Sequence, residues 1–230
     1  MNLKSLFQDI INLIFPNTCL VCGENLVEGE DIVCLSCLYK IPKTNNHLIP
    51  ENEIERRFWG KVRIENVVAY YGFQKGSSIQ KLLHELKYNK RQDVGELLGK
   101  QIALGLQDAS IFENIDVIIP VPLHKNRFRK RGYNQSACFA KGLSNVTEKP
   151  IDTTTLYRAI ETPTQTKKTV YERWENTNGI FQLSNQESLK NKHVLLVDDV
   201  MTTGSTLEAC AQSLLEAEGV KVSVLTIAVA

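Results

Sequence analysis

Residues 194–206 read VLLVDDVMTTGST: an apolar run, two adjacent carboxylates, and a loop that combines hydroxyl side chains with one glycine. The continuous apolar run is typical of a strand buried on both faces of a sheet. Helical spacing from Thr206 to Ala217 predicts a helix directly after the loop. A strand end followed by a helix start exposes unpaired backbone N–H groups at the positive end of the helix dipole, and this arrangement binds phosphate.

The side chains of this segment indicate a phosphosugar ligand rather than phosphate alone. Gly204 allows the backbone to approach an anion closely. Uncharged hydroxyl donors surround it, namely Thr202, Thr203, Ser205 and Thr206. Asp198 and Asp199 would repel a phosphate, but they can accept hydrogen bonds from sugar hydroxyls and help to position a divalent cation. A strand-end turn followed by a helix cap would explain each residue singly, but not the ordered set.

Strand and helix patterns alternate along the chain from about Val62 onward. Predicted strands cover residues 67–71, 116–121, 156–160, 180–183, 194–197 and 220–229, and predicted helices cover 78–87, 93–106, 134–143 and 206–217. This alternation favours an α/β fold with a parallel sheet flanked by helices. Because such sheets bind ligands at the carboxyl ends of their strands, the segments after Val121 and Val197 are the candidate positions for chemistry.

Composition and the N-terminus exclude several classes of protein. A net charge of +1 over 230 residues excludes a chain-wide field that attracts polyanions, and no apolar run reaches the ~18 residues of a membrane span. Residues 1–15 have the spacing of an amphipathic helix, which we expect to dock on the protein or on a partner. A membrane-surface helix would carry more Lys and Arg. Asp9 and Asn12 interrupt the apolar stretch that a signal peptide requires, which favours a cytoplasmic location.

Two cysteine pairs define a small module at residues 16–42. Cys19 and Cys22 form one CxxC pair, and Cys34 and Cys37 form the other. Two such pairs can place four thiolates around one tetrahedral Zn²⁺, which would be structural because protein ligands fill every position. Two disulfides are the alternative, but a reducing compartment disfavours them. The polar stretch 43–61 is typical of a linker to the α/β domain at residues 62–230.

A basic turn follows the predicted strand that ends at Val121. Its five cations are Lys125, Arg127, Arg129, Lys130 and Arg131. The turn would meet pyrophosphate or a nucleic-acid backbone if it lay beside the phosphate site, and it would otherwise be a solvated loop. Phe128 and Tyr133 could stack on a base or serve as packing residues. The polar segment 161–178, with Lys167, Lys168 and Arg173, is either a lid over pyrophosphate or a solvated connection.

The motifs of this chain, taken together, resemble those of a known family. Residues 194–206 resemble the signature of type I phosphoribosyltransferases and of regulatory relatives that bind phosphoribosyl pyrophosphate (PRPP). The cysteine pairs, the segment PVPLHKNRFRKRGYNQ at 120–135 and the segment LLHELKY at 82–88 are similar to the ComF family, competence-associated phosphoribosyltransferase-like proteins that include the GntX type. Further matches are Arg158, Gln165, Arg173, Asn176 and Phe181.

The resemblance implies a type I phosphoribosyltransferase-like fold and a role in natural transformation or in the use of external DNA. It also implies that Asp198 and Asp199 contact the ribose 2- and 3-hydroxyls and that residues 202–206 wrap the 5-phosphate of PRPP. Mg²⁺ is the cofactor expected with PRPP. Candidate contacts for pyrophosphate or nucleic acid are Lys87, Arg127, Arg129, Arg131 and Arg173.

Two functions follow, and the sequence favours the first modestly. One is transfer of a phosphoribosyl group to an acceptor. The other is a non-catalytic module that senses PRPP or a nucleotide and binds incoming single-stranded DNA and competence partners. The residue patterns specify neither the acceptor nor the oligomeric state.

Overall fold

The computed structural model describes residues 16–160 and 179–230. The amphipathic helix expected at residues 1–15 lies outside this part of the chain. The polar segment 161–178, which contains Lys167, Lys168 and Arg173, also lies outside it.

A four-stranded parallel sheet forms the centre of the molecule. The described residues contain six strands, numbered in chain order: β1 (Val67–Gly72), β2 (Val117–Pro120), β3 (Leu156–Arg158), β4 (Phe181–Leu183), β5 (His193–Met201) and β6 (Lys221–Val229). The sheet has the order β1–β6–β5–β2, and each neighbouring pair is parallel. All four carboxyl ends therefore meet at one edge. The predicted fold class, a parallel sheet flanked by helices, is confirmed.

Helices flank this sheet. The described residues contain seven α-helices: α1 (Leu35–Tyr39), α2 (Glu53–Arg56), α3 (Ser78–Tyr88), α4 (Gln92–Gly105), α5 (Lys125–Arg131), α6 (Gln135–Thr147) and α7 (Ser205–Leu214). Three-residue 3-10 turns occur at Asn46–Leu48, Ser110–Phe112 and Glu187–Leu189. None of the described helices combines the length and the apolar character needed to cross a bilayer.

The side chains of β5 alternate between two buried layers. Leu195 and Val197 pack in the core that contains Leu82 of α3 and Phe139 of α6. The neighbouring residues of β5 pack in the other core, which is closed by α7. Because both faces are covered, an unbroken apolar run is the pattern that this strand requires.

Two glycines allow α4 and α6 to pack backbone against backbone. A Cβ added at Gly99 would lie 2.8 Å from the Cα of Gly142, and a Cβ added at Gly142 would collide with the carbonyl oxygen of Glu96. Helices that approach this closely leave no room for a side chain at the crossing point. This contact fixes α6 against α4.

Residues 43–61 are held against the sheet although their sequence is polar. Asn46 is 4% exposed; its amide nitrogen donates to the carbonyl of Val67 at 2.8 Å, and its amide oxygen accepts from the N–H of Ala69 at 3.2 Å. Asn52 caps α2 by accepting from the N–H groups of Ile54 and Glu55. Asn46 can be buried because its amide group pairs with the backbone of β1, the edge strand of the sheet, and Asn52 because its amide pairs with the turns on either side of it.

Three local predictions differ from the structure. The predicted basic turn is a helix, α5, which begins after His124 and ends at Gly132 with a φ of 83°. The predicted strands at 156–160 and 180–183 form a separate antiparallel pair, β3 with β4, outside the main sheet. Strand β5 continues to Met201, so the carboxylate pair lies within the strand rather than after it.

We expect Gly142→Ala to destabilise the protein by about 1–3 kcal/mol, because the added methyl group must push α4 and α6 apart. The free energy of unfolding from chemical denaturation measures this effect. Gly72→Ala is the matched control, since a Cβ at Gly72 meets nothing within 4 Å. Equal stability of the two variants would contradict the proposed backbone contact.

Candidate functional site

Asp198 and Asp199 lie near the carboxyl end of β5 and have different partners. Asp198 Oδ1 accepts a hydrogen bond from the hydroxyl of Ser136 at 2.7 Å and another from the N–H of Asp199 at 2.9 Å. Asp199 Oδ2 lies 3.0 Å from the ammonium nitrogen of Lys87. One carboxylate is therefore held by a neutral donor on α6, and the other by a cation on α3.

Asn134 positions Ser136 for its contact with Asp198. The side-chain oxygen of Asn134 caps α6 by accepting from the N–H of Ser136 at 3.1 Å, and its amide nitrogen donates to the carbonyl of Val121 at 2.9 Å. These two bonds fasten the start of α6 to the segment after β2. The sequence analysis did not single out Ser136. An Asn directly before a helical pattern is an N-cap signal, and this signal would have drawn attention to the residues after it.

The surroundings of Asp198 favour its protonated form. Burial and, to a smaller extent, repulsion from the adjacent Asp199 raise the pKa of the Asp198 carboxyl to about 7. The hydrogen bonds from Ser136 and the Asp199 amide, and the charge of Lys87, lower this pKa but do not cancel the increase. Two carboxylates on consecutive residues cannot both ionise at low cost in a partly buried site. Asp198 therefore changes charge near neutral pH.

The hydroxyl loop after β5 has the geometry of an anion cradle. Gly204 has a φ of 84° and is the N-cap residue of α7, so the first N–H groups of the helix have no acceptor within the helix and lie next to the loop. The hydroxyls of Thr203 and Ser205 lie 2.5 Å apart. The loop lines a cavity of about 40 Å³, which Asp198 also borders.

The buried phenyl ring of Phe58 supports the loop of residues 202–206. A Cβ added at Gly204 would lie 3.1 Å from Phe58 Cζ, and Phe58 is 2% exposed. The guanidinium of Arg57 donates to the carbonyl oxygen of Thr202. Neither residue was singled out in the sequence, because residues 43–61 were interpreted as a linker.

A basic cavity of about 450 Å³ lies between the end of α3 and α5. Its lining residues are cations and tyrosines: Lys87, Tyr88, Lys90, Arg127, Lys130, Arg131 and Tyr133. Lys87 belongs to this cavity and also contacts Asp199, so it joins the two features. The hydroxyl of Tyr133 donates to the carbonyl of Leu86, which fixes the end of α3 beside the start of α6.

The structure separates the predicted basic residues into two groups. Lys87, Arg127 and Arg131 share the basic cavity, whereas Arg129 lines a smaller adjoining cavity of about 200 Å³. Tyr133 is buried and serves packing, but Phe128 is 49% exposed. Phe128 faces another cavity, of about 600 Å³, between α4, α6 and β3.

The four N-terminal cysteines converge on one point. Their sulfur atoms lie within 4.8 Å of one another, and the sulfurs of Cys22 and Cys34 are 3.9 Å apart. Zn–S bonds of about 2.3 Å in a tetrahedron place sulfurs ~3.8 Å apart, so the donor set fits a metal ion such as zinc. The separation of 3.9 Å between the sulfurs of Cys22 and Cys34 is much longer than a disulfide bond of about 2.05 Å.

The backbone around Cys19 favours its thiolate. Burial opposes ionisation, but hydrogen bonds from the N–H groups of Cys22, Cys34 and Val21 together lower the pKa of the Cys19 thiol to about 6. Burial and the neighbouring sulfurs raise the pKa of Cys37 to about 12. A metal cation at the centre of the four sulfurs would balance their negative charges and so favour the thiolate form of each cysteine.

Comparison with known proteins is consistent with these features. Residues 134–230 match the model of the phosphoribosyl transferase domain. This range contains α6 with Ser136, the carboxylate pair and the hydroxyl loop. A crystal structure of adenine phosphoribosyltransferase is similar over 62% of this chain and 73% of that chain, with 15% identity and a TM-score of 0.42.

Two curated relatives align over most of the chain. DNA utilization protein YhgH of Escherichia coli (strain K12) is 28% identical over 218 residues, which cover 88% of this chain and 92% of that protein. Competence protein ComFC of Bacillus subtilis (strain 168) is 33% identical over 205 residues, which cover 83% of this chain and 81% of that protein. At one third identity over four fifths of both chains, the match to ComFC shows that the chain belongs to the ComF family of proteins with a phosphoribosyltransferase domain.

Proposed function

We propose that the protein binds PRPP at the carboxyl edge of its sheet and transfers the phosphoribosyl group to an acceptor. The observation that carries the proposal is the contact of Lys87 with Asp199. This contact joins the carboxylate pair to the basic cavity, while Asp198 borders the hydroxyl loop on the other side. PRPP requires three kinds of contact in the same spatial order: a phosphate-binding loop, acceptors for two ribose hydroxyls, and cations for pyrophosphate.

Each group of residues has a separate task in this proposal. The loop of residues 202–206 holds the 5-phosphate through backbone N–H groups and hydroxyls. Asp198 and Asp199 accept hydrogen bonds from the 2- and 3-hydroxyls, and Ser136 keeps the Asp198 carboxylate in position. Lys87, Arg127 and Arg131 compensate the charge of pyrophosphate.

The reaction breaks the bond between ribose C1 and the pyrophosphate oxygen and forms a bond from C1 to the acceptor, which loses its proton. Positive charge develops on the ring as pyrophosphate departs, and the fixed carboxylates and cations stabilise the separated charges. Mg²⁺, which favours phosphate oxygens with one or two carboxylates, would neutralise part of the pyrophosphate charge when bound. Asp199 would be a suitable donor for it, because Mg²⁺ binds carboxylate oxygens.

The biological role is proposed from the named relatives. One is called a DNA utilization protein and another a competence protein, and we extend a role in DNA uptake or utilisation to this chain. A second candidate function, PRPP or nucleotide sensing with binding of single-stranded DNA and competence partners, is favoured by α5. This helix places five cations in seven residues, and all are at least partly exposed.

We expect the wild-type protein to bind PRPP with Mg²⁺. Asp198→Asn and Asp199→Asn should each weaken this binding by roughly 10-fold or more, because each removes a charged acceptor for the ribose hydroxyls. Isothermal titration calorimetry measures the effect. Glu216→Gln is the control, since it neutralises an exposed carboxylate that follows α7.

Pyrophosphate release separates the two candidate functions. Release from PRPP in the presence of nucleobases or DNA, lost in the two Asp variants, supports the transferase. PRPP binding without release, together with salt-sensitive DNA binding that is lost on neutralising Arg127, Arg129 and Arg131, supports the binding module. If the wild-type protein gave no binding heat with PRPP and Mg²⁺, neither function would stand.

The affinity for PRPP should rise about 10-fold between pH ~6 and pH ~8. Asp198 must lose its proton before both of its oxygens can accept hydrogen bonds from sugar hydroxyls, and its pKa of about 7 places this loss within the interval. The affinity of Asp198→Asn for PRPP should change with pH only through the titration of the ligand phosphates, near pH ~6. Parallel pH profiles for the two proteins would count against the role of Asp198.

We also propose that the cysteine cluster binds one structural Zn²⁺. Elemental analysis of freshly reduced protein should find about one zinc per chain, and Cys34→Ser should lose most of it because three thiolates bind zinc more weakly than four. Cys138→Ser should retain zinc, since Cys138 lies in α6 away from the cluster. Wild-type protein that contains no zinc would refute the proposal.

A further inference from the structure

The hydroxyl loop lacks a cation of its own. Residues 198–206 contain two aspartates and no Lys or Arg, and Glu208 adds a third carboxylate in the first turn of α7. A sugar phosphate carries nearly two negative charges at neutral pH. Backbone N–H groups provide only partial positive charge, so the repulsion from these carboxylates must be compensated from another part of the chain.

The neighbouring lysines are already engaged by carboxylates. Lys87 pairs with Asp199 at 3.0 Å, and Lys61 lies 3.8 Å from Glu208. Arg57 differs from both, because its guanidinium donates to a neutral acceptor, the carbonyl of Thr202. Among the described residues, this is the cation whose hydrogen bond reaches the backbone of the loop. A guanidinium has five N–H donors in a planar fork, so one bond to a carbonyl leaves donors for a phosphate oxygen.

Arg57 is held in place from both sides. It follows α2, whose first turn is capped by Asn52; Asn52 also donates to the carbonyl of Ile49 at 3.0 Å. The next residue, Phe58, is buried against Gly204. Because the residues before and after Arg57 are fixed, its guanidinium is oriented towards the loop before a ligand arrives, which reduces the entropy lost on binding.

We propose that Arg57 is a phosphate-binding residue of this site, which holds the 5-phosphate of the ribose ligand with its guanidinium while it fixes the Thr202 carbonyl. This inference rests on the proposed function and adds a residue to it from outside the segment that matches the phosphoribosyl transferase domain. A ligand that enters the loop receives backbone N–H groups from the start of α7 and a full positive charge from residue 57.

Calorimetric titrations with three probes test the assignment: ribose 5-phosphate, PRPP with Mg²⁺, and inorganic pyrophosphate with Mg²⁺. Arg57→Gln should weaken binding of ribose 5-phosphate and PRPP by roughly 10-fold or more and leave binding of pyrophosphate unchanged. Arg57→Lys should give an intermediate loss, because it keeps the charge but not the fork. Thermal unfolding of each variant shows whether the fold is retained, and Arg57→Lys remains the test if Arg57→Gln does not fold.

Arg56→Gln is the matched control. It removes the same charge from the adjacent position, but the Arg56 guanidinium lies 5.7 Å from the ring centre of Trp59 rather than at the loop. Its affinities should equal those of the wild type. Equal weakening in Arg56→Gln and Arg57→Gln would overturn the proposal, since it would reveal a general charge effect. If the wild type binds PRPP and Arg57→Gln binds it equally well, the role of Arg57 is overturned and the proposed function stands. If the wild type binds neither sugar phosphate, both the role of Arg57 and the proposed function are overturned.

Phosphorus NMR distinguishes direct contact from support of the loop. A guanidinium beside the bound phosphate favours its dianion, so ribose 5-phosphate bound to the wild type should lose its second proton at a lower pH than when bound to Arg57→Gln. A residue that only supported the Thr202 carbonyl would leave this titration unchanged. Identical titration curves for the two complexes would therefore contradict phosphate binding by Arg57.

Discussion

Two carboxylates on consecutive residues near the end of a buried strand repel each other, and much of the site reduces that repulsion. Lys87 neutralises Asp199 from α3, and Ser136 donates to Asp198 from α6. Burial, together with the remaining repulsion, raises the pKa of Asp198. Charged groups whose pKa values are strongly shifted by burial and by a like charge are concentrated at functional sites.

The elements that relieve this repulsion are themselves connected. Helix α3 carries Lys87 near its C-terminal end, while Lys81 on the same helix donates to the carbonyl of Val21 in the cysteine module at 3.0 Å. Tyr133 joins the end of α3 to the segment that precedes α6. The cysteine module therefore packs on the helix that supplies the cation for Asp199, and a metal in that module would stabilise the site indirectly.

Sequence patterns predicted the regular elements well because the sheet is covered on both faces. The apolar run at 194–197 and the helical spacing at 78–87 each reflect one dominant cause, burial of side chains. The same reasoning failed for residues 43–61, where Asn46 is buried through hydrogen bonds to backbone rather than through apolar contact. It also missed α5, since a basic run carries no apolar periodicity, and Ser136, whose partner is distant in sequence. The roles of Asp198 and Asp199 with a sugar stay predictions.

The packing of Phe58 beneath Gly204 limits how far the chain can be shortened from its N-terminal side. Cutting the chain at residue 62, where the alternating patterns start, would remove Phe58 from under the loop and Arg57 from its rim. It would also uncover the edge of β1, which pairs through Lys43 with Tyr71. A shortened version for crystallisation or binding studies must therefore keep the chain before residue 62, including Ile41, which is buried in the core beside α3, and Pro42, whose carbonyl accepts from the N–H of Gly72.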